Sequence, residues 1–275
     1  MRGTTVTILT PEAIVAYQQW CTGRGRALNT VRAYGSDLRE FLKSAEGQVT
    51  REEFEELAQS WLNLTRNQVS PSTTARRLTS LKGLAKWASW GPVLEDYIAP
   101  KPGKTVPHPI PEGADGVARM IDCAKNYQQE ALVALGGYMG LRVGESLGLT
   151  VANIDIESML ATIRGKGDKT RTVPVSSQAW THIAPAYAMA MTSQTGHLIS
   201  YKDRFARHII THLGMRAKLR RPVSSHDLRA TFATAAYDKT GDIRVVQELL
   251  GHNSSTTTEI YTGVRLETLR EAVDF

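Results

Sequence analysis

The sequence predicts a mainly α protein in two parts, an N-terminal helical bundle and a C-terminal, mostly helical domain with one small β-hairpin. Three observations predict it. Apolar residues recur three and four positions apart through much of the chain, the period of a helix with one buried face. The stretch APKPGKTVPHPIPEG, residues 99–113, holds five of the eleven prolines and no periodicity, so it reads as a stiff connection. The segment MLATIRGKGDKTRTVPVS alternates and turns around Gly165–Lys169, the pattern of two short paired strands. Domains are therefore expected at 1–98 and 114–275, joined by a linker at 99–113.

Each element follows from local chemistry. PEAIVAYQQWC opens a helix with Thr10 placed to cap it and Pro11 at its first position. LNTVRAYGSDLREFLKSA puts Leu28, Val31, Tyr34, Leu38, Phe41 and Leu42 on one stripe. REEFEELAQSWLNL repeats the pattern with acids in its first turn, where the helix dipole favours them. SPSTTARRLTSLKGLAKWASWG starts with Ser70 before Pro71 and turns Leu78, Leu81, Leu84, Ala85 and Ala88 inward. Its other side offers Arg76, Arg77, Lys82 and Lys86. Beyond the linker, GVARMIDCAKN and QQEALVALGGYMG read as helices and the hairpin follows. DRFARHIITHLGMRAKL, HDLRATFATAAYDKTG, IRVVQELLG and the short amphipathic RLETLREAV then return to helix.

With 41% hydrophobic and 22% charged residues, the composition is that of an ordinary globular protein. No run reaches the ~18 apolar residues of a membrane span, so no membrane partner is expected. The N-terminus lacks an apolar core followed by a cleavage site, and Cys21 and Cys123 fit no metal-ligand spacing; a cytoplasmic protein with reduced thiols is expected. The net charge is +6, and seven basic residues fall between Lys202 and Arg221 against the single acid Asp203. Such a run suits a polyanion, or simply a solvated helix face.

Four stretches carry polar residues that packing does not require. In GLRVGE, Arg142 and Glu145 lie one helical turn apart, which lets the carboxylate orient the guanidinium; a plain surface ion pair would look the same. In RGKGDKTR, Lys166 sits between glycines at the hairpin tip, without the spacing of a nucleotide phosphate loop. In SSHDLRATFAT, Ser224 or Ser225 can cap a helix whose first turns carry His226 and Arg229 on one face, at a terminus that already favours anions. In LLGHNSSTTTEIYTG, His252 follows Gly251, and Tyr261 lies beyond a polar run. Together they supply two Arg, one Lys, two His and one Tyr, with no acidic pair to hold a metal. His208 and His212 are four apart but lack the glutamate of a helical zinc motif. Phosphoryl transfer needs this kind of set: cations on the non-bridging oxygens, a nucleophile, a base and an acid. A tyrosine with an ordinary pKa near ~10 attacks a phosphodiester only where cations favour its phenolate.

GLRVGESLGL, RGKGDKTRTVPV and SHDLRATFATAAYDKTGDIRVVQELLGHNSSTTTEIYT resemble, in order and spacing, the successive boxes of the tyrosine recombinase (phage integrase) family, over roughly residues 130–262. NTVRAYGSDLREFL resembles that family's core-type DNA-binding domain. The resemblance implies a core-binding bundle at 1–98 and a catalytic domain with a C-terminal tail helix at 114–275. It implies that Tyr261 attacks the scissile phosphate to form a 3′-phosphotyrosyl adduct, and that Arg142 and Arg229 clamp the non-bridging oxygens. Lys166 would protonate the departing 5′-hydroxyl, His226 would act as base and His252 would hydrogen-bond the phosphate. Glu145 falls at the family's supporting acidic position. Where the second box often has His directly after its Arg, this chain has Ala230. No metal or other cofactor is implied. The partner would be double-stranded DNA carrying specific core sites, bound by a monomer that assembles into a homotetramer on paired sites, beside the nucleoid of a bacterial host. Arg76, Arg77, Lys169 and Arg171 are expected DNA contacts. An integrase of a phage or mobile element is the favoured reading, with a chromosome-dimer resolvase, a catalytically silent DNA-binding regulator or a DNA-relaxing enzyme of the type IB topoisomerase class as alternatives.

Overall fold

Side-chain caps start three of the four helices in the first part of the chain. The computed structural model describes residues 6–101, 108–165, 170–251 and 266–274. They fall into two units, residues 1–105 and 106–275. In the first, β1 (Ile8–Leu9) leads into α1 (Pro11–Gly23), where the Thr10 hydroxyl accepts the Ala13 N–H at 3.3 Å. The second helix, α2 (Leu28–Ser44), buries Val31, Tyr34, Leu38, Phe41 and Leu42 and leaves Leu28 in solvent. After β2 (Val49–Thr50), α3 (Arg51–Thr65) begins with a reciprocal cap. Thr50 accepts the Glu53 N–H at 3.4 Å, and the Glu53 carboxylate accepts the Thr50 N–H at 3.1 Å. The fourth helix, α4 (Pro71–Trp87), is capped by Ser70, which accepts the Thr73 N–H at 3.2 Å. Leu38, Phe41, Phe54, Leu62, Leu81 and Leu84 close the core, with Phe54 edge-on to Phe41 at 5.6 Å and to Trp90 at 4.9 Å. The antiparallel pairing of β1 with β2, Ile8 opposite Thr50, is too short to show as an alternation in sequence.

Arg77 does not lie on an exposed basic side of α4. It is buried, its guanidinium 4.5 Å from the centre of the Trp61 ring and 2.5 Å from a Glu40 carboxylate oxygen. The aromatic face and the acid let the long side chain lie inward without leaving its charge unpaired. Arg76 is half exposed, but its fork closes on the buried Asp37 at 2.8 and 2.9 Å, joining α4 to α2.

The second unit is organised around a helix buried on every side. Here α5 (Gly113–Asp122) precedes α6 (Tyr127–Gly137), in which every residue from Ala131 to Gly137 is buried. The short α7 (Val143–Gly148) leads to a three-stranded antiparallel sheet of β3 (Ile154–Asp155), β4 (Leu160–Arg164) and β5 (Thr170–Pro174), in that order. Thr162 pairs with Thr172 and Arg164 with Thr170, so the expected hairpin is present, though its tip, with Lys166 and Lys169, lies outside the described residues. Then come α8 (Ser177–Met191), α9 (Asp203–Arg216), α10 (Ser225–Thr240), α11 (Ile243–Leu250) and α12 (Leu266–Glu271). The sequence assigns no element over α8, and Pro185 stands inside it. Proline costs a helix interior ~3 kcal/mol, yet a Ser176 cap and Ala179, Ile183, Ala186 and Ala190, buried in the same core as α6, hold it. The tail helix α12 seats on its own unit, with Leu269, Ala272 and Val273 buried among Phe232, Val245, Val246 and Leu249. Among the described residues no helix is long and apolar enough to cross a membrane.

Candidate active site

The site is built where three chain turns meet one carboxylate. After α6 the chain reverses at Gly140, whose positive φ of 65° suits glycine, and its carbonyl accepts a hydrogen bond from an η-nitrogen of Arg229. Two residues on, Arg142 occupies the N-cap of α7 in extended conformation, and Glu145 folds back so that its carboxylate accepts the Arg142 N–H at 2.9 Å. The same carboxylate accepts the Arg142 guanidinium at 2.9 Å. From β5, Arg171 donates both η-nitrogens to it, at 3.1 and 2.9 Å. Arg229, from the second turn of α10, approaches to 3.8 Å.

The last turn of α11 closes the arrangement. Its Leu249 carbonyl accepts Arg171 Nε at 3.0 Å and its Leu250 carbonyl accepts an Arg229 η-nitrogen at 2.6 Å. Helix-end carbonyls carry the negative pole of the helix dipole, so two cations belong there. Gly251 ends the helix with φ 64°; a Cβ at that position would lie 2.8 Å from Cδ of Arg171. Both conformation and crowding therefore demand glycine. The segment bearing His252 and Tyr261 begins at the next residue, so it is rooted on this cluster.

Three guanidiniums against one carboxylate leave an excess of two positive charges. Burial pushes the Glu145 carboxyl upward, but the Arg171 hydrogen bonds, the Arg142 N–H and the nearby positive charges outweigh burial and hold it at about 2. Burial, reinforced by Arg142 and Arg171, lowers Arg229 to about 10, against the attraction of Glu145. Arg229 is thus a cation short of negative charge. Arg142 differs from its neighbours in exposure, with 46% of its side chain open against 12% for Arg171 and 8% for Arg229. The cluster can accept an anion at Arg142, with Arg171 and Arg229 adding potential from behind.

His226 is exposed in the first turn of α10, one turn before Arg229. Ser224 is the cap of that helix, with the Asp227 carboxylate accepting its N–H at 2.7 Å, and Arg207 donates to the Ser225 hydroxyl at 3.3 Å. Of the sequence-predicted residues, the structure gathers Arg142, Glu145 and Arg229. Lys166, Lys169, His252 and Tyr261 lie outside the described residues. Arg171, expected as a DNA contact, is instead a nearly buried partner of Glu145. A signal was available, since Arg171 shares a strand face with the buried Val173, and an arginine on an inward face needs a carboxylate.

The phage integrase family model matches residues 114–267, more than half of the chain, and the family's N-terminal SAM-like domain matches residues 16–91. The chain belongs to the phage integrase family. It is similar to tyrosine recombinase XerD of Bifidobacterium longum, 32% identical across 90% of this chain and 91% of the relative. It is likewise similar to the solved structure of the integrase from mycobacterium phage Brujita, with 25% identity, a TM-score of 0.51, and coverage of 96% and 91% of the two chains. The fold is shared with a XerH site-specific recombinase solved on its difH substrate, at a TM-score of 0.65 and 21% identity over 95% and 81% of the chains. As a tyrosine recombinase of this family, the chain is an enzyme of site-specific DNA recombination.

Proposed function

We propose that this protein breaks and rejoins double-stranded DNA at specific core sites, with Tyr261 as nucleophile and a 3′-phosphotyrosyl enzyme as intermediate. The observation that carries the reading is the under-neutralised arginine cluster from which the Tyr261 segment departs. A phosphodiester brought to Arg142 supplies the negative charge the cluster lacks. Further charge accumulates on the non-bridging oxygens as the phosphorus becomes five-coordinate, so the fixed cations act most strongly in the transition state. Arg229 adds its charge from within. His226 takes the phenolic proton, His252 hydrogen-bonds the phosphate and Lys166 protonates the departing 5′-oxygen. Attack by a partner strand's 5′-hydroxyl reverses these steps and returns the phosphodiester to DNA, so no external energy source is needed.

The working assembly would be a homotetramer on paired sites, formed from monomers, beside the nucleoid of a bacterial host. The domains would divide at the proline-rich linker 99–113, with the bundle and the catalytic unit both contacting DNA. We favour the integrase of a phage or mobile element. A chromosome-dimer resolvase is the second reading, favoured by the near full-length likeness to XerD. Wild-type protein incubated with a nicked core site should yield a protein–DNA adduct that survives denaturation, with Tyr261 as the modified residue. Tyr261→Phe should bind the same site and give no adduct. An adduct from the Phe variant would remove Tyr261 from the nucleophile's role.

A further inference from the structure

We infer that Arg171 is a positioning residue for strand cleavage, fixing the root of the nucleophile-bearing segment to the phosphate-facing arginine. This rests on the cleavage reading above. All three guanidinium nitrogens of Arg171 are committed: two grip the oxygens of Glu145 at 3.1 and 2.9 Å, and the third holds the Leu249 carbonyl at 3.0 Å. Glu145 in turn orients Arg142 through both its N–H and its guanidinium. Leu249 lies three positions before His252 on the chain that leads to Tyr261, and Lys166 precedes Arg171 by five residues on the same hairpin. One side chain therefore ties α7, β5 and α11 together, and each of these elements carries or leads into a different part of the reacting set.

The geometry fits guanidinium and not ammonium. A planar fork can close bidentately on a carboxylate while its Nε points elsewhere, whereas lysine has one nitrogen to share among these acceptors. The crowding of Gly251 against Cδ of Arg171 shows that the helix end is shaped around this side chain. With so little of Arg171 in solvent and every nitrogen engaged, its contribution to cleavage passes through Glu145 and α11 and not through DNA.

The test compares wild type, Arg171→Lys, Arg171→Gln, Glu145→Gln and Lys166→Ala on half-site binding and on single-turnover cleavage of a nicked site. Adduct formation by wild type checks the cleavage reading separately; its failure would strike that reading before any variant is compared. Arg171→Lys should bind the half-site as wild type does and cleave on the order of 100-fold more slowly, the scale of a small misplacement of reacting groups. A substrate with sulfur as the bridging 5′ leaving atom should rescue Lys166→Ala but not Arg171→Lys, because the defect lies in aligning attack and not in protonating the leaving group. Arg171→Gln combined with Glu145→Gln should be no slower than the worse single variant. Should Arg171→Gln fail to fold, Arg171→Lys, which keeps the charge, decides, with half-site binding as the check on its fold. Wild-type cleavage by Arg171→Lys, loss of binding in parallel with cleavage, rescue by the sulfur substrate, or multiplying defects in the double variant would each overturn the inference.

Discussion

Glu145 shows how much chemistry a single buried carboxylate can organise. It gives two guanidiniums their orientation, lies 3.8 Å from a third, and caps the helix on which it stands. Its depressed pKa carries a stability consequence of definite sign. A carboxyl held at about 2 in the folded protein, against an ordinary 4.5, contributes stability that is fully present above the ordinary value and is lost as pH falls through the folded one. At ~1.4 kcal/mol per pH unit the contribution is roughly 3 kcal/mol. Acid titration followed by denaturant unfolding should show that loss between about pH 4.5 and 2, and Glu145→Gln should lack it. A variant with the wild-type acid profile would contradict the assignment. At this scale the sequence was legible in part. The Arg142–Glu145 pair followed from one-turn spacing, and Arg229 from its place at a helix start. Arg171 did not, because it meets Glu145 across 26 positions of chain and only the folded arrangement of β5 and α7 brings them together.

Among the elements, those with strong periodicity or caps were readable, and those held by tertiary packing were not. Thr10, Ser70 and the Pro residues beside them announced α1 and α4. By contrast α8 contains Pro185, and its stability comes from residues buried in the core it shares with α6. The six-residue α7 is too short to display a period and exists because Glu145 caps it. The tail helix was legible as an amphipathic segment, but its seat was not. Leu269 is buried on α12, and Arg270 donates to the Ser158 carbonyl at 2.9 Å. Leu269→Ala should therefore cost about 2–5 kcal/mol of local stability. Amide exchange of residues 266–271 should report it as lost protection, and unchanged protection would contradict this packing.

For the whole molecule, the proposed function predicts a marked dependence on ionic strength. A protein that covers about six phosphates would lose on the order of 10³-fold in affinity between ~50 and ~200 mM salt. Titrating a half-site over that range should give a straight line of log affinity against log salt, and a flat line would exclude a phosphate-dominated contact. Arg204, His208, His212 and Arg216 are all exposed on α9, whereas Arg77 is buried and Arg171 nearly so, and the basic residues counted in the sequence therefore do not contribute equally to such a surface. Charge totals cannot make that distinction, because solvent exposure is a property of the fold.

Sharing one counter-ion among the arginines has a consequence for how this pocket can change over generations. A replacement at position 145 is felt at once by residues from three separate stretches of chain, so a lone substitution detunes them together. Drift toward new chemistry in this fold must then proceed by matched exchanges, acid and bases moving as a set, while the solvent-facing Arg142 side chain retains room to vary in what it touches.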